Sequence, residues 1–79
     1  MRVLFFAQLQ DATGCDATEL STASPLNQEQ LWVRLLEKFP ALAAHRGNVR
    51  LARNWEYADA ETQFFQADEV ALIPPVSGG

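Results

Sequence analysis

The sequence predicts an α+β domain in which a mixed sheet of four to five strands packs on one main helix, and three observations lead there. One segment has helical periodicity, with signals at both of its ends. The two most apolar short runs lie near opposite ends of the chain, which places them side by side at the centre of a sheet packed on that helix. The elements read ββαβββ without internal repeat or linker, over a length that suits one domain, residues 1–79, with residues 74–79 as its flexible C-terminal tail.

Residues 2–8 are β-rich and almost continuously apolar, the pattern of a strand with both faces at least partly covered. Gln10-Asp11-Ala12-Thr13-Gly14 carries turn residues, and residues 16–21 form a second strand, giving a hairpin. Asn27 is a good N-cap, Gln30 stands three residues later as in a capping box, and Leu26 and Leu31 occupy the staple positions around it. Start and register of the helix are thereby specified together. Leu31, Leu35 and Phe39 recur every fourth residue beside Trp32 and Leu36, while Glu29, Arg34, Glu37 and Lys38 take the other side. Pro40 ends the helix because its ring disfavours helical geometry at Phe39. Residues 41–46 add one helical turn before Gly47-Asn48. Two short strands, 49–53 and 56–58, flank Asn54-Trp55, and Asp68-Glu69 opens a last strand, Val70-Ala71-Leu72-Ile73. Pro74-Pro75 must stop that ladder, since proline has no N–H to donate.

Composition narrows the function. Apolar residues make up 48% and charged ones 20%, which is globular rather than disordered. A net charge of −4 and a pI near 4.7 oppose a phosphate backbone, and no cluster of Lys and Arg offsets them, so nucleic acid is not the expected partner. The lone Cys15 has no disulfide partner and makes no zinc site with His45 alone, which fits a reducing compartment. The opening apolar run, Val3 to Ala7, is too short for a signal-peptide core, and nothing approaches the roughly 18 apolar residues of a membrane helix. A cytoplasmic protein that meets no membrane is expected.

The tail is the candidate chemical site. Glycine at both final positions occurs by chance about 0.5% of the time at average usage, and Gly78-Gly79 alone is equally compatible with a frayed terminus. Two glycines without Cβ atoms form a thread thin enough for a narrow tunnel, where a partner's active site can close on the main-chain carboxylate. The prolines keep that thread extended and projecting. A carboxylate needs activation before acyl transfer, usually adenylation by ATP. Gly14 and Gly47 are isolated and make no phosphate loop, so activation must come from a partner.

The end Asp68-Glu69-Val70-Ala71-Leu72-Ile73-Pro74-Pro75-Val76-Ser77-Gly78-Gly79 resembles the C-terminal signature of the small, sulfur-carrying subunit of molybdopterin synthase. Val3-Leu4-Phe5-Phe6-Ala7-Gln8-Leu9 and Asn54-Trp55-Glu56-Tyr57 are similar to the same family. The resemblance implies a ubiquitin-like β-grasp fold and a non-catalytic carrier with no bound cofactor. It implies that a partner adenylyltransferase and sulfurtransferase uses ATP to turn the Gly79 carboxylate into an acyl-adenylate, then into a thiocarboxylate (1-thioglycine). The tail would next enter the large synthase subunit, in a complex with two copies of each chain, and give its sulfur to a cyclic pyranopterin precursor. The chain departs from the family at Gln10-Asp11, Gln63 and Gln66-Ala67; a positive φ at Ala67, where glycine is common, would cost about 1 kcal/mol. Related carriers for thiamine or tRNA thiolation share the fold and the glycines. A modifier joined to lysine through Gly79 and a binding module with an inert tail are the readings from other classes.

Strand alternation places the partner surface. With Val3, Phe5, Val70 and Leu72 facing the helix, Leu4, Phe6, Ala71 and Ile73 face the opposite way, where no second helix is predicted. Phe6, Ile73 and Tyr57 then form an exposed apolar patch at the root of the tail, continued by Pro74, Pro75, Val76 and Ser77. The competing expectation is that residues 41–53 cover this face. Trp32 reads as packing and Trp55 as an exposed turn residue. Cys15 and His45 read as incidental, and Asp59, Glu61, Asp68 and Glu69 as a solvated acidic edge rather than a metal site.

Overall fold

The computed structural model describes residues 1–75. Five strands form one mixed sheet: β1 (Arg2–Phe5), β2 (Ala17–Glu19), β3 (Arg50–Arg53), β4 (Glu56–Tyr57) and β5 (Glu69–Ile73), in the spatial order β2-β1-β5-β3-β4. The two most apolar strands are neighbours, as their composition requires: β1 and β5 run parallel, with Val3 opposite Val70 and Phe5 opposite Leu72. β5 is the central strand and pairs antiparallel with β3 on its other side.

Helix α2 (Gln28–Lys38) starts as its sequence dictates. The Asn27 side chain accepts from the Gln30 N–H at 2.8 Å, and the Gln30 side chain accepts from the Asn27 N–H at 2.9 Å, so two N–H groups without helical partners are satisfied reciprocally. Leu26 and Leu31, the staple pair, are both buried. The inner face of the helix sets Leu31, Trp32 and Leu35 against Val3, Phe5, Val70 and Leu72 of the sheet, all buried in one cluster. Past Phe39 the chain forms two short 3₁₀ segments, Pro40–Ala44 and Arg46–Asn48, in place of a single further turn. Leu42 anchors the first of them in the core.

Two features differ from the sequence reading. The first strand stops at Phe5 rather than continuing to residue 8, because Ala7 takes φ 51° and ψ −129° and reverses the chain, with the Leu9 N–H donating to the Phe6 carbonyl at 3.0 Å. The expected turn over residues 10–14 is instead a short helix, α1 (Gln8–Thr13), which buries Leu9 completely and ends on Gly14 in the left-handed conformation that glycine adopts without penalty. β1 and β2 still pair antiparallel, but a helix rather than a tight turn joins them. A third point falls outside the named strands. Leu26 and Phe64 exchange both backbone hydrogen bonds, at 2.9 and 2.8 Å, and this bridge buries Phe64 beneath the start of α2. Ala67 does not take a positive φ; among the described residues the non-glycine positions that do are Ala7, Asn54 and Trp55. Among the described residues, no helix is long and apolar enough to cross a membrane.

Candidate functional site at the root of the tail

β5 delivers the tail from the middle of the sheet. Its last ladder pair is Arg50 with Ile73, after which Pro74 is half-buried and Pro75 exposed. Neither proline can donate to a neighbouring strand, so the ladder ends here. Val76, Ser77, Gly78 and Gly79 lie outside the described residues.

The sheet face turned away from α2 is set by register. Leu4, Ala71, Ala52 and Tyr57 form one row across β1, β5, β3 and β4. Phe6, next after the Phe5–Leu72 pair, continues toward Ile73 and Arg50 in the adjoining row. The first 3₁₀ segment packs on α1 and α2 and the second reaches α2 through Arg46, so residues 41–49 leave this face open and 50–53 are part of the sheet. Phe6 is 37% exposed and Tyr57 59%, while Ile73 is half-buried. The structure therefore puts Phe6, Tyr57 and Ile73 on one face, with Pro74 and Pro75 following Ile73 in the chain.

Sequence reasoning left out of this patch its largest member. Asn54 and Trp55 have φ values of 52° and 69°, the two left-handed positions of a type I′ hairpin turn between β3 and β4. Asn54 ties the turn to the start of β5: its N–H donates to the Glu69 carbonyl at 2.7 Å, its side-chain oxygen accepts from the Glu69 N–H at 2.9 Å, and its amide donates to Asp68 at 3.0 Å. Trp55 is 63% exposed, yet it is held at two edges. The indole N–H donates to the Glu69 carboxylate at 2.8 Å, and the ring meets Phe6 edge-on at 6.3 Å between centroids. An indole that reaches both Glu69 and Phe6 crosses the row between them, which accounts for the burial of the outward-facing Ala71. Trp55 and Tyr57 wall an apolar cleft of about 240 Å³, floored by Ala52 and closed at the tail end by Ile73. The Arg50 guanidinium lies over the Tyr57 ring, 3.9 Å from its centroid, within the range of a cation–π contact. The available signal was the Asn-X turn between two short strands, since a type I′ turn brings its second residue back beside the sheet.

The remaining candidates are occupied with the fold. Trp32 is buried, with Arg46 against its ring, and Cys15 packs half-buried on the core. The Asp59 carboxylate accepts the Glu61 N–H and the Thr62 hydroxyl, which, in that order, hold its pKa below the ordinary 3.8. Asp68 accepts from the Phe65 N–H and the Asn54 amide. These carboxylates close turns.

A match to the ThiS family runs over residues 3–79, nearly the entire chain and through its terminal glycines. The chain belongs to the ThiS family. A relative from Arabidopsis thaliana, a molybdopterin synthase sulfur carrier subunit, is 37% identical over 79 residues, spanning all of this chain and 82% of the relative. The crystal structure of SAMP1 from Haloferax volcanii is similar over all of this chain and 98% of its own, with a TM-score of 0.84 and 28% identity. A chain of the protein–protein complex of subunits 1 and 2 of molybdopterin-converting factor from Helicobacter pylori 26695 aligns with a TM-score of 0.70 at 23% identity, over 99% of this chain and 96% of that one, a likeness of fold. The ubiquitin-like β-grasp implied by the resemblance at both ends of this chain is thus the fold found: a five-stranded mixed sheet packed on one main helix.

Proposed function

We propose that this chain carries sulfur for molybdenum cofactor biosynthesis in the cytoplasm, on a thiocarboxylate at Gly79. The observation that carries the reading is the family match reaching the last residue, joined to relatives that are molybdopterin synthase sulfur carrier subunits. The chemistry divides into an activation that this chain cannot perform and a presentation for which it is built. A partner enzyme supplies ATP, and the Gly79 carboxylate oxygen attacks the α-phosphorus with loss of pyrophosphate. A sulfur nucleophile on the activating enzyme then attacks the acyl carbon and AMP leaves. With a persulfide as that nucleophile the product is an acyl disulfide, and a second thiol of the activating enzyme attacks the donor sulfur, closing an enzyme disulfide and releasing the thiocarboxylate. Gly78 and Gly79 let the thread pass where a side chain would jam, Val76 and Ser77 seat it, and Pro74 and Pro75 hold it away from the sheet. The large synthase subunit docks on Phe6, Tyr57 and Ile73, in a complex of two copies of each chain, and supplies the groups that transfer sulfur to the pyranopterin precursor.

Intact mass tests this reading. Protein incubated with its activating enzyme, ATP and a sulfur source gains about 16 Da, sulfur for oxygen, and a chain lacking Gly79 gains nothing. Failure of the full-length chain to gain that mass would overturn the proposal. The likeness to SAMP1, a small archaeal modifier protein, favours a second reading in which Gly79 ends in an isopeptide bond. That reading predicts thiol-resistant conjugates with lysines of other proteins as the end state.

A further inference from the structure

We infer that Trp55 and Arg50 form a preset anchor that selects the sulfur-accepting subunit by taking one of its apolar side chains into the Trp55–Tyr57 cleft and a neighbouring carboxylate onto Arg50. The inference rests on the tail being the reactive group. Four residues beyond Pro75 reach at most about 14 Å, so an active site that closes on Gly79 has its body against this end of the sheet. Ile73 is both the last residue of β5 and a wall of the cleft, which makes the cleft continuous with the tail's exit.

The backbone at Trp55 points the same way. At φ 69° a side chain is disfavoured, and glycine is the usual residue at the second position of a type I′ turn. An exposed tryptophan kept at such a position, with its indole fixed by Glu69 and Phe6, has its rotamer settled before binding. That is the condition under which a large aromatic contributes most to an interface, because little side-chain entropy remains to be lost. Charge defines the other half of the partner's chemistry. The chain is net negative, yet at this end of the face the cation Arg50 stacks on Tyr57, and its recorded contact among the described residues is that ring rather than a carboxylate. A carboxylate meeting a guanidinium already positioned on an aromatic face gains a charge-assisted pair at small cost in ordering.

Trp55→Gly is the decisive variant, since it removes the indole while supplying the residue the turn prefers, so that loss of binding is not loss of fold. Calorimetric titration with the large subunit should give at least tenfold weaker binding for Trp55→Gly, with the circular dichroism spectrum and melting temperature retained. Arg50→Glu should weaken binding by a similar factor and flatten its salt dependence, and Arg50→Lys should recover only part of the loss. At saturating large subunit, the transfer rate from thiocarboxylated Trp55→Gly should match that of the unaltered chain. Affinity within twofold of the unaltered protein for both Trp55→Gly and Arg50→Glu overturns the inference, as does a transfer rate that stays low at saturation. A chain lacking Gly79 separates this failure from failure of the carrier reading. It should bind the large subunit but transfer no sulfur, whereas retained transfer would count against the carrier reading whatever the affinities are.

Discussion

Replacing Ala7 by glycine should make the protein more stable, against the usual direction for alanine-to-glycine changes. Ala7 has φ 51° and ψ −129°, the first inner position of a type II′ turn closed by the Leu9 N–H on the Phe6 carbonyl at 3.0 Å. Holding an L-residue there costs about 1–3 kcal/mol. Glycine removes that strain but loosens the unfolded chain, which costs about 0.4–1 kcal/mol. Ala7 is exposed, so no buried methyl group is lost to offset the gain. The net expectation is a stabilisation of about 0–2.6 kcal/mol, centred on about 1.3 kcal/mol, or roughly 5–10 °C in melting temperature for a domain of this size. Urea titration followed by circular dichroism measures it, with an unchanged m-value as the sign that the change lies in the native state. A glycine variant that melts at or below the temperature of the unaltered protein would show that the turn at Ala7 stores no more strain than the entropy glycine adds to the unfolded chain, and the same reasoning applied to Trp55 would fall with it.

Asn27→Ala removes one half of the capping box and should cost about 1 kcal/mol, seen as a lower urea midpoint. Leu35→Ala empties a fully buried site between helix and sheet, and about 2–5 kcal/mol is expected; against a total of about 4–12 kcal/mol for a chain of this length, the variant should melt far earlier or be unfolded at 37 °C. Asp59, whose pKa is lowered in the folded state by the Glu61 N–H and the Thr62 hydroxyl, supports folding above the unfolded pKa and loses that support as pH falls through its folded value. Asp59→Asn should therefore flatten part of the stability loss at and below the ordinary carboxylate value of 3.8, with no such effect near neutrality. Phe6→Asp should abolish complex formation with the large subunit while the circular dichroism spectrum is kept, because Phe6 already faces solvent; size-exclusion chromatography showing an intact complex would contradict the assignment of that face.

Local rules wrote the parts of this fold that were legible in the sequence. The capping box, the staple and the stop at Pro40 each depend on residues within a few positions of one another, and all stand in the structure where they were expected. The central pairing of β1 with β5 was legible for a different reason, since two apolar runs of this length have nowhere to go but the middle of a sheet. The reversal at Ala7 was not legible, because the residue there is not the glycine that marks such turns, and the stretch from Phe5 through Leu9, apolar but for Gln8, conceals a change from strand to helix period. The 3.6-residue signal was present in Leu9, Thr13 and the Gly14 that follows, but too short to outweigh the turn residues among them. At the site, alternation alone placed Phe6 and Ile73 on the outer face. For Trp55 the Asn-X turn signalled only a return beside the sheet; its seat against Glu69 and Phe6 is made of contacts across strands that no local pattern encodes.

The placement of the tail explains why so small a body suffices for a carrier. A thread leaving an edge strand would swing with every opening of that edge, because an edge is held on one side only. Here the thread leaves β5, which is paired along its length with β1 and with β3 and buried through Val70, Ala71 and Leu72. Ile73 is held by the β3 ladder alone, but freeing β5 through Leu72 means breaking two ladders and the core together, which in a single cooperative domain approaches global unfolding. The strand up to Leu72 is therefore as stable as the protein itself. The apolar face shares that same rigid sheet, so a partner seated on it meets the thread at a constant place and angle. A carrier needs its chain end presented from a fixed place, and the central position of β5, held in two ladders, meets that requirement up to Ile73.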